Sequence, residues 1–260
     1  MEGCNLVLAE ERKDSILQML EEEGSVKVSK LIKLFGVSIE TIRRDLEALE
    51  KDGFLKRVYG GAVLKKNEIQ KLNYIKREKE FIDEKKELAK TAIRYIEDGQ
   101  SIALNDSTTN IELARELKKH FKELTIITNS LLITNELVDA DRFTVISTGG
   151  VLNHKERAFY GEFAENLISN FVVDKAFISV SGVSLIRGIT DFSPEEVQIQ
   201  KKLIEISQET IVLADSSKID TVSLIKVEDI HEVNLIITDS KLDSKILNKY
   251  LKNGIEVVNE

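Results

Sequence analysis

The sequence predicts an α/β chain of two unlike domains: a small helical unit carrying a basic hairpin, then a larger, mainly parallel α/β domain. Three observations carry that reading. Residues 10–51 hold three short segments with apolar residues at helical spacing, separated by glycines. Residues 54–64 switch to strand-like runs on either side of Gly60-Gly61. From residue 101 onward, six short β-branched runs end in hydroxyls, amides, carboxylates or glycines, with helical stretches between most of them.

The 260 residues give ample material for one large domain or two smaller ones. A hydrophobic fraction of 42% and a charged fraction of 32% belong to a soluble globular chain, and no apolar run approaches membrane-spanning length. Glu2, Glu10 and Glu11 stand where a signal peptide would be basic and then apolar. A single cysteine, Cys4, excludes an internal disulfide and a cysteine-rich zinc site, so a cytoplasmic setting is expected. The net charge of -8 argues against indiscriminate nucleic-acid binding by the whole chain. Residues 24–66, however, hold ten Lys/Arg against five Asp/Glu, a balance of +5. A basic module on an acidic body suits a DNA-binding head joined to another kind of domain.

The first helix runs from Glu10 to Glu23, with Ile16, Leu17, Met19 and Leu20 inward and Gly24 as its stop. The second runs from Val26 to Phe35, with Val28, Leu31, Ile32 and Phe35 apolar, and ends at Gly36. Ser38 caps the third, whose apolar stripe is Ile39, Ile42, Leu46 and Leu49, and Gly53 closes it. Thr41, Arg43 and Arg44 occupy the opposite face. The tight Gly36-Val37-Ser38 link makes a helix-turn-helix signature, whose later helix enters the major groove. The strand-like Phe54–Tyr59, a turn at Gly60-Gly61 and a return through Ala62–Leu64 add a wing. Lys56, Arg57 and Tyr59 are candidates for phosphate or sugar contacts, and Gly60-Gly61 for close backbone approach. Pairing with Glu40 and Glu47 would make Arg43 and Arg44 ordinary surface charges; the turn, the wing and the +5 balance make them DNA contacts instead.

Val37-Ser38-x-x-Thr41-Ile42-Arg43-Arg44-Asp45-Leu46, followed by Arg57-x-Tyr59-Gly60-Gly61-Ala62, resembles the DNA-binding head of the DeoR family of bacterial transcriptional regulators. The resemblance implies that Thr41, Arg43 and Arg44 belong to the recognition helix and that Gly60-Gly61 lies in the wing. The expected DNA-binding set is Ser38, Thr41, Arg43, Arg44, Lys56, Arg57, Tyr59, Gly60 and Gly61.

The expected boundaries are a winged helix-turn-helix domain over 1–64, a charged linker over 65–80 and an α/β effector-binding domain over 81–260. A helix over 79–97, through Ile82, Leu88, Ala92, Ile93 and Ile96, opens the body. The six strand runs are Ser101–Leu104, Leu124–Ile127, Phe143–Ile146, Ala176–Val180, Thr210–Ala214 and Leu235–Ile237. Parallel sheets bind ligands outside the carboxyl ends of their strands, where helix N-termini also offer an anion seat. Asp106-Ser107-Thr108-Thr109 is the candidate phosphate cradle and Lys218 the candidate cation on that phosphate. Asp215 would brace Lys218 or receive sugar hydroxyls; Asn129, Gly149, Gly150 and Gly182 complete the effector set. Ser193-Pro194-Glu195-Glu196 marks a helix start, and His120, His154 and His231 read as surface residues.

Asp106-x-Thr108-Thr109, Thr128-Asn129-Ser130, Gly149-Gly150, Phe159-Tyr160-Gly161 and Leu213-Ala214-Asp215-Ser216-Ser217-Lys218 resemble the DeoR sensor domain. That implies similarity to the ribose-phosphate isomerase, glucosamine-phosphate deaminase and CoA-transferase folds. Ser107 departs from the glycine usual in that family, which points to a loop that is tighter, differently shaped or specific for another ligand. The expected function is a sequence-specific regulator, a repressor of a sugar-metabolism operon released by a phosphorylated sugar. It binds double-stranded operator DNA as a homo-oligomer, dimer or tetramer, because one head buries little DNA. No cofactor, metal, membrane partner or enzymatic activity is expected. The alternative is a sugar-phosphate isomerase or deaminase with a DNA-binding head, using Asp106, Asp191 or Glu195 as base. The acidic body disfavours a nonspecific architectural DNA binder.

Overall fold

The computed structural model describes residues 9–51, 54–64 and 77–259, and the chain divides into two units, Met1–Glu78 and Lys79–Glu260. In the first, α1 (Ala9–Glu23), α2 (Val28–Phe35) and α3 (Ile39–Lys51) pack with β1 (Ser25–Lys27), β2 (Leu55–Val58) and β3 (Gly61–Leu64). The strands form an antiparallel sheet of order β1-β3-β2. The core takes Ile16 and Leu20 from α1, Leu31 from α2, and Ile42, Leu46 and Leu49 from α3.

Three details differ from the sequence expectation. Helix α2 starts at Val28, because Val26 is instead buried in β1 opposite Ala62, with exposed residues on either side. Ile39, assigned to the buried stripe of α3, is 44% exposed as the first residue of the helix. The hairpin turns at Tyr59-Gly60, not Gly60-Gly61: Gly61 lies within β3 and pairs with Val58 on one side and Lys27 on the other. The expected cap at Gly53 and the linker residues 65–76 lie outside the described residues.

The second unit is built on seven parallel strands in the order β15-β14-β12-β9-β4-β5-β6. These are β4 (Ser101–Leu104), β5 (Leu124–Thr128), β6 (Phe143–Ser147), β9 (Val173–Ser179), β12 (Ser207–Leu213), β14 (Leu235–Ile237) and β15 (Val257–Val258). All six expected strands are present. The central ones are buried on both faces, which is why they read as β-branched runs without alternation. Helices α4 (Ile82–Ala92), α5 (Thr108–His120), α6 (Leu131–Glu136), α7 (Glu162–Ile168), α8 (Pro194–Glu205) and α9 (Ser244–Lys252) complete the layers. Helix α4 ends before the expected Glu97, tightening into a 3-10 turn at Ile93–Tyr95. The sequence did not announce a hairpin of β7 (Val151–Asn153) and β8 (Ala158–Tyr160), nor an antiparallel trio of β10 (Gly182–Ser184), β11 (Gly188–Asp191) and β13 (Ile225–Glu228).

From the boundary between β4 and β9 the chain runs outward both ways, through β5 and β6 on one side and β12, β14 and β15 on the other. That boundary is the topological switch point, where strand-end loops part and leave a crevice.

Candidate functional site

In the head, Ser38 is a working N-cap: its Oγ accepts the Thr41 N–H at 3.2 Å and shares a 3.0 Å hydrogen bond with Thr41 Oγ1. Gly36 ends α2 in a left-handed conformation with φ of 64°, making the turn between the two helices. Arg43 and Arg44 are both exposed, yet they differ. Arg43 donates to Glu40 Oε1 at 3.0 Å, whereas Arg44 has no ion-pair partner among the described residues. Lys56 is exposed on β2, and Tyr59 stands fully exposed at the tip of the wing. Gly60 adopts φ of +78° there. A Cβ on Gly61 would lie 2.1 Å from the Val26 carbonyl oxygen, so its close backbone approach is to β1. Arg57 is committed within the head as well: Glu50 accepts both its Nε–H at 2.7 Å and its backbone N–H at 2.8 Å.

In the body, buried amides tie the strand ends together. Asn105 Nδ2 donates to the Ser179 carbonyl at 3.1 Å while Asn105 Oδ1 accepts the Ser179 N–H at 2.8 Å, joining the ends of β4 and β9. Asn110 Nδ2 donates to Asn105 O and Oδ1, both at 2.9 Å, and to Phe177 O at 3.0 Å. Gln200 on α8 donates to Ser179 O at 3.1 Å and to Asp191 Oδ2 at 2.8 Å, and Ser181 Oγ donates to Asp191 Oδ1 at 2.7 Å. Sequence reasoning missed this network, because amides beside a strand end look like helix caps.

On the β5 side, Asp106 is buried and held at both oxygens. Tyr160 Oη donates to Oδ2 at 2.6 Å and Asn129 Nδ2 to Oδ1 at 2.8 Å. Burial pushes the Asp106 carboxyl up to about 7, against the lowering effect of those two hydrogen bonds; Glu156 adds to the rise. Tyr160 comes from β8, so the unforeseen hairpin closes this corner. Gly150 stands against it: with φ of +111°, a Cβ there would lie 2.9 Å from Tyr160 O and 3.1 Å from Ala164 Cβ. Ser107 is the N-cap of α5, its Oγ accepting the Asn110 N–H at 2.9 Å. Thr108 is half-buried at the first helical position, while Thr109 is turned into the interior.

On the β12 side, the strand ends at Leu213, and Asp215 caps a 3-10 turn over Ser216–Lys218. Lys218 Nζ sits 3.6 Å from Asp215 Oδ2, so the buried carboxylate braces the cation. Asp239, in the loop just past β14, accepts the Ser216 N–H at 2.6 Å. The Ser107 and Lys218 loops thus follow β4 and β12, with β9 between them, about 10 Å of sheet. Gly182 is not in a strand-end loop: it lies in β10, where a Cβ would come within 2.9 Å of Thr190 Oγ1. The three histidines are exposed, and no group of three or more His, Cys, Asp or Glu is placed to hold a metal among the described residues. No helix among them is long and apolar enough to cross a membrane.

Comparison with known proteins adds to this geometry. Residues 12–68 match the family model described as a DeoR-like helix-turn-helix domain, and residues 80–240 match the DeoR C terminal sensor domain. The chain is 34% identical over 247 residues to the HTH-type transcriptional regulator GolR of Listeria innocua, covering 95% of this chain and 97% of that one. It is 33% identical over 252 residues to a lactose phosphotransferase system repressor of Staphylococcus epidermidis, covering 95% and 98%. Among solved structures, ribose 5-phosphate isomerase A of Methanocaldococcus jannaschii aligns at 19% identity and a TM-score of 0.39, over 54% of this chain and 55% of that chain.

Proposed function

The chain belongs to the DeoR family, and on that premise we propose that it represses a sugar-metabolism operon and leaves its operator when a phosphorylated sugar occupies the strand ends of the body. The observation that carries the effector half is the placement of two anion-binding features at neighbouring strand ends. A cation, Lys218, follows β12 and the N-terminus of α5 at Ser107-Thr108 follows β4, on either side of β9. Ser107 uses its hydroxyl on the Asn110 N–H, which removes one donor a phosphate would otherwise take. The ligand therefore leans on Lys218 more than on the loop. Asp215, Gly149 and Gly150 shape the rim, whereas Asp106 and Asn129 hold the loop from behind.

At the head, Thr41, Arg43, Arg44, Lys56, Tyr59 and Gly60 meet the operator. Phosphate neutralisation supplies most of the affinity and α3 the sequence preference. A homo-oligomer sets two heads on repeated half-sites in the cytoplasm, and release requires that the sugar phosphate bind one arrangement of heads better than the other.

The test is a thermal-shift screen of phosphorylated sugars on the full chain, repeated with a promoter duplex present. Lys218→Ala should abolish the response to the active sugar while operator binding persists; release of the variant at the same sugar concentration would remove Lys218 from the site. The near-neutral Asp106 is the one observation favouring an isomerase or deaminase, since a general base is useful at such a value. Both its oxygens already accept hydrogen bonds and it is 5% exposed, which weighs against substrate reaching it. Turnover of a sugar phosphate by the full chain, lost in Asp106→Asn, would reverse that ranking.

A further inference from the structure

Among the described residues, the strand β2 pairs with β3 alone and is an edge of the head's sheet. Its register, with Val58 opposite Gly61 and Arg57 opposite Ala62, turns the Arg57 N–H away from β3. That outward donor meets Glu50 Oε1 at 2.8 Å, while the other oxygen of the same carboxylate takes the Arg57 guanidinium at 2.7 Å. Glu47, one turn earlier on α3, lies 4.0 Å from Arg57 Nη2. The last turns of α3 therefore grip β2 by its backbone and its side chain at one residue. Arg57 is thereby oriented toward acids of its own head.

We infer that Glu50 and Arg57 form a clamp that sets the angle of the wing against the recognition helix, Arg57 acting as a positioning residue and not as a phosphate contact. The inference rests on the head's binding of operator DNA and deepens it. The contacts at the tip and along β2 (Tyr59, Gly60, Lys56) reach DNA together with α3 only while the clamp fixes their relation. Such pre-organisation contributes affinity without touching the nucleic acid.

Charge alone and the clamp make opposite forecasts for one substitution. Glu50→Gln removes a negative charge from a DNA-binding head, and if Arg57 touches phosphate it also releases that arginine; on either count affinity rises. If the clamp positions the wing, affinity of the full chain for a duplex from the promoter upstream of its own operon falls about tenfold. Fluorescence anisotropy at fixed salt reads the difference, and circular dichroism melting of the same sample reports whether the head is folded. The swapped double variant, Glu50→Arg with Arg57→Glu, keeps the net charge and restores the side-chain pair with reversed polarity, though not the bond from the backbone N–H of residue 57. It should bind more tightly than Arg57→Glu alone. Glu50→Gln binding as well as or better than the parent chain, or a swap no better than Arg57→Glu, overturns the clamp. Failure of the parent chain to prefer the promoter duplex over random DNA would instead count against operator recognition itself.

Discussion

Asp45 lies one residue beyond the exposed Arg43-Arg44 pair, yet it is buried and joined to Arg12 of α1 by two hydrogen bonds of 2.6 and 3.1 Å. The arginines are thus anchored from behind by an ion pair between α1 and α3. A buried charge left without its partner is costly, so Asp45→Asn should destabilise the head by about 3 kcal/mol. Chemical denaturation followed by a probe in the head checks this. Replacing both partners with apolar residues should cost less than replacing either one.

The two arginines of α3 should not be equivalent. Arg43 already spends a donor on Glu40, whereas Arg44 has no ion-pair partner among the described residues. Arg44→Ala should lose about 1–3 kcal/mol of operator affinity, and Arg43→Ala clearly less, in a titration of the promoter duplex. Whichever arginine contacts phosphate will also lower the slope of affinity against salt by about one when removed.

The parts legible in the sequence were those written by local chemistry. The three head helices were readable from apolar spacing and glycine stops, and the six strands from β-branched runs between polar ends. The misplaced start of α2 has a simple cause: Val26 stands two residues before Val28, the spacing of one strand face and not of one helix face, and its burial comes from β1, where it pairs opposite Ala62. Strand order was not legible, because the place of β9 between β4 and β12 rests on contacts between residues more than seventy and thirty apart. The site inherited both properties. Lys218 with Asp215 was readable as a strand end; the Asn105–Ser179 pair and the Tyr160–Asp106 bond were not, since each joins segments distant in the chain.

Asp106 should give the body a characteristic pH response. Its folded value of about 7 lies above that of an unfolded carboxyl, about 4. Between those values the folded chain keeps a proton that the unfolded chain has released, so stability falls as pH rises through the window. The melting temperature of the body should therefore decline from about pH 4 toward pH 7, and Asp106→Asn should flatten the decline. Tyr160→Phe removes a hydrogen bond that lowers the Asp106 value, and so should extend the decline to higher pH. A slope unchanged in Asp106→Asn would assign the response to another group.

Gly60 and Gly61 make a final pair that the sequence presents as alike and the fold treats differently. At Gly60 an added Cβ meets nothing within 4 Å among the described residues, and the obstacle is φ of +78°. At Gly61 the Cβ would fall 2.1 Å from the Val26 carbonyl oxygen, a contact with backbone that no rotamer change relieves. Gly60→Ala should cost about 1 kcal/mol, the ordinary cost of a left-handed alanine. Gly61→Ala must separate β3 from β1 and should cost about 3 kcal/mol in head stability. Operator affinity measured beside the denaturation midpoints distinguishes the two consequences. Gly60→Ala should change affinity with little loss of fold, because it alters the exposed tip. Gly61→Ala should lose both together, because its glycine serves the sheet.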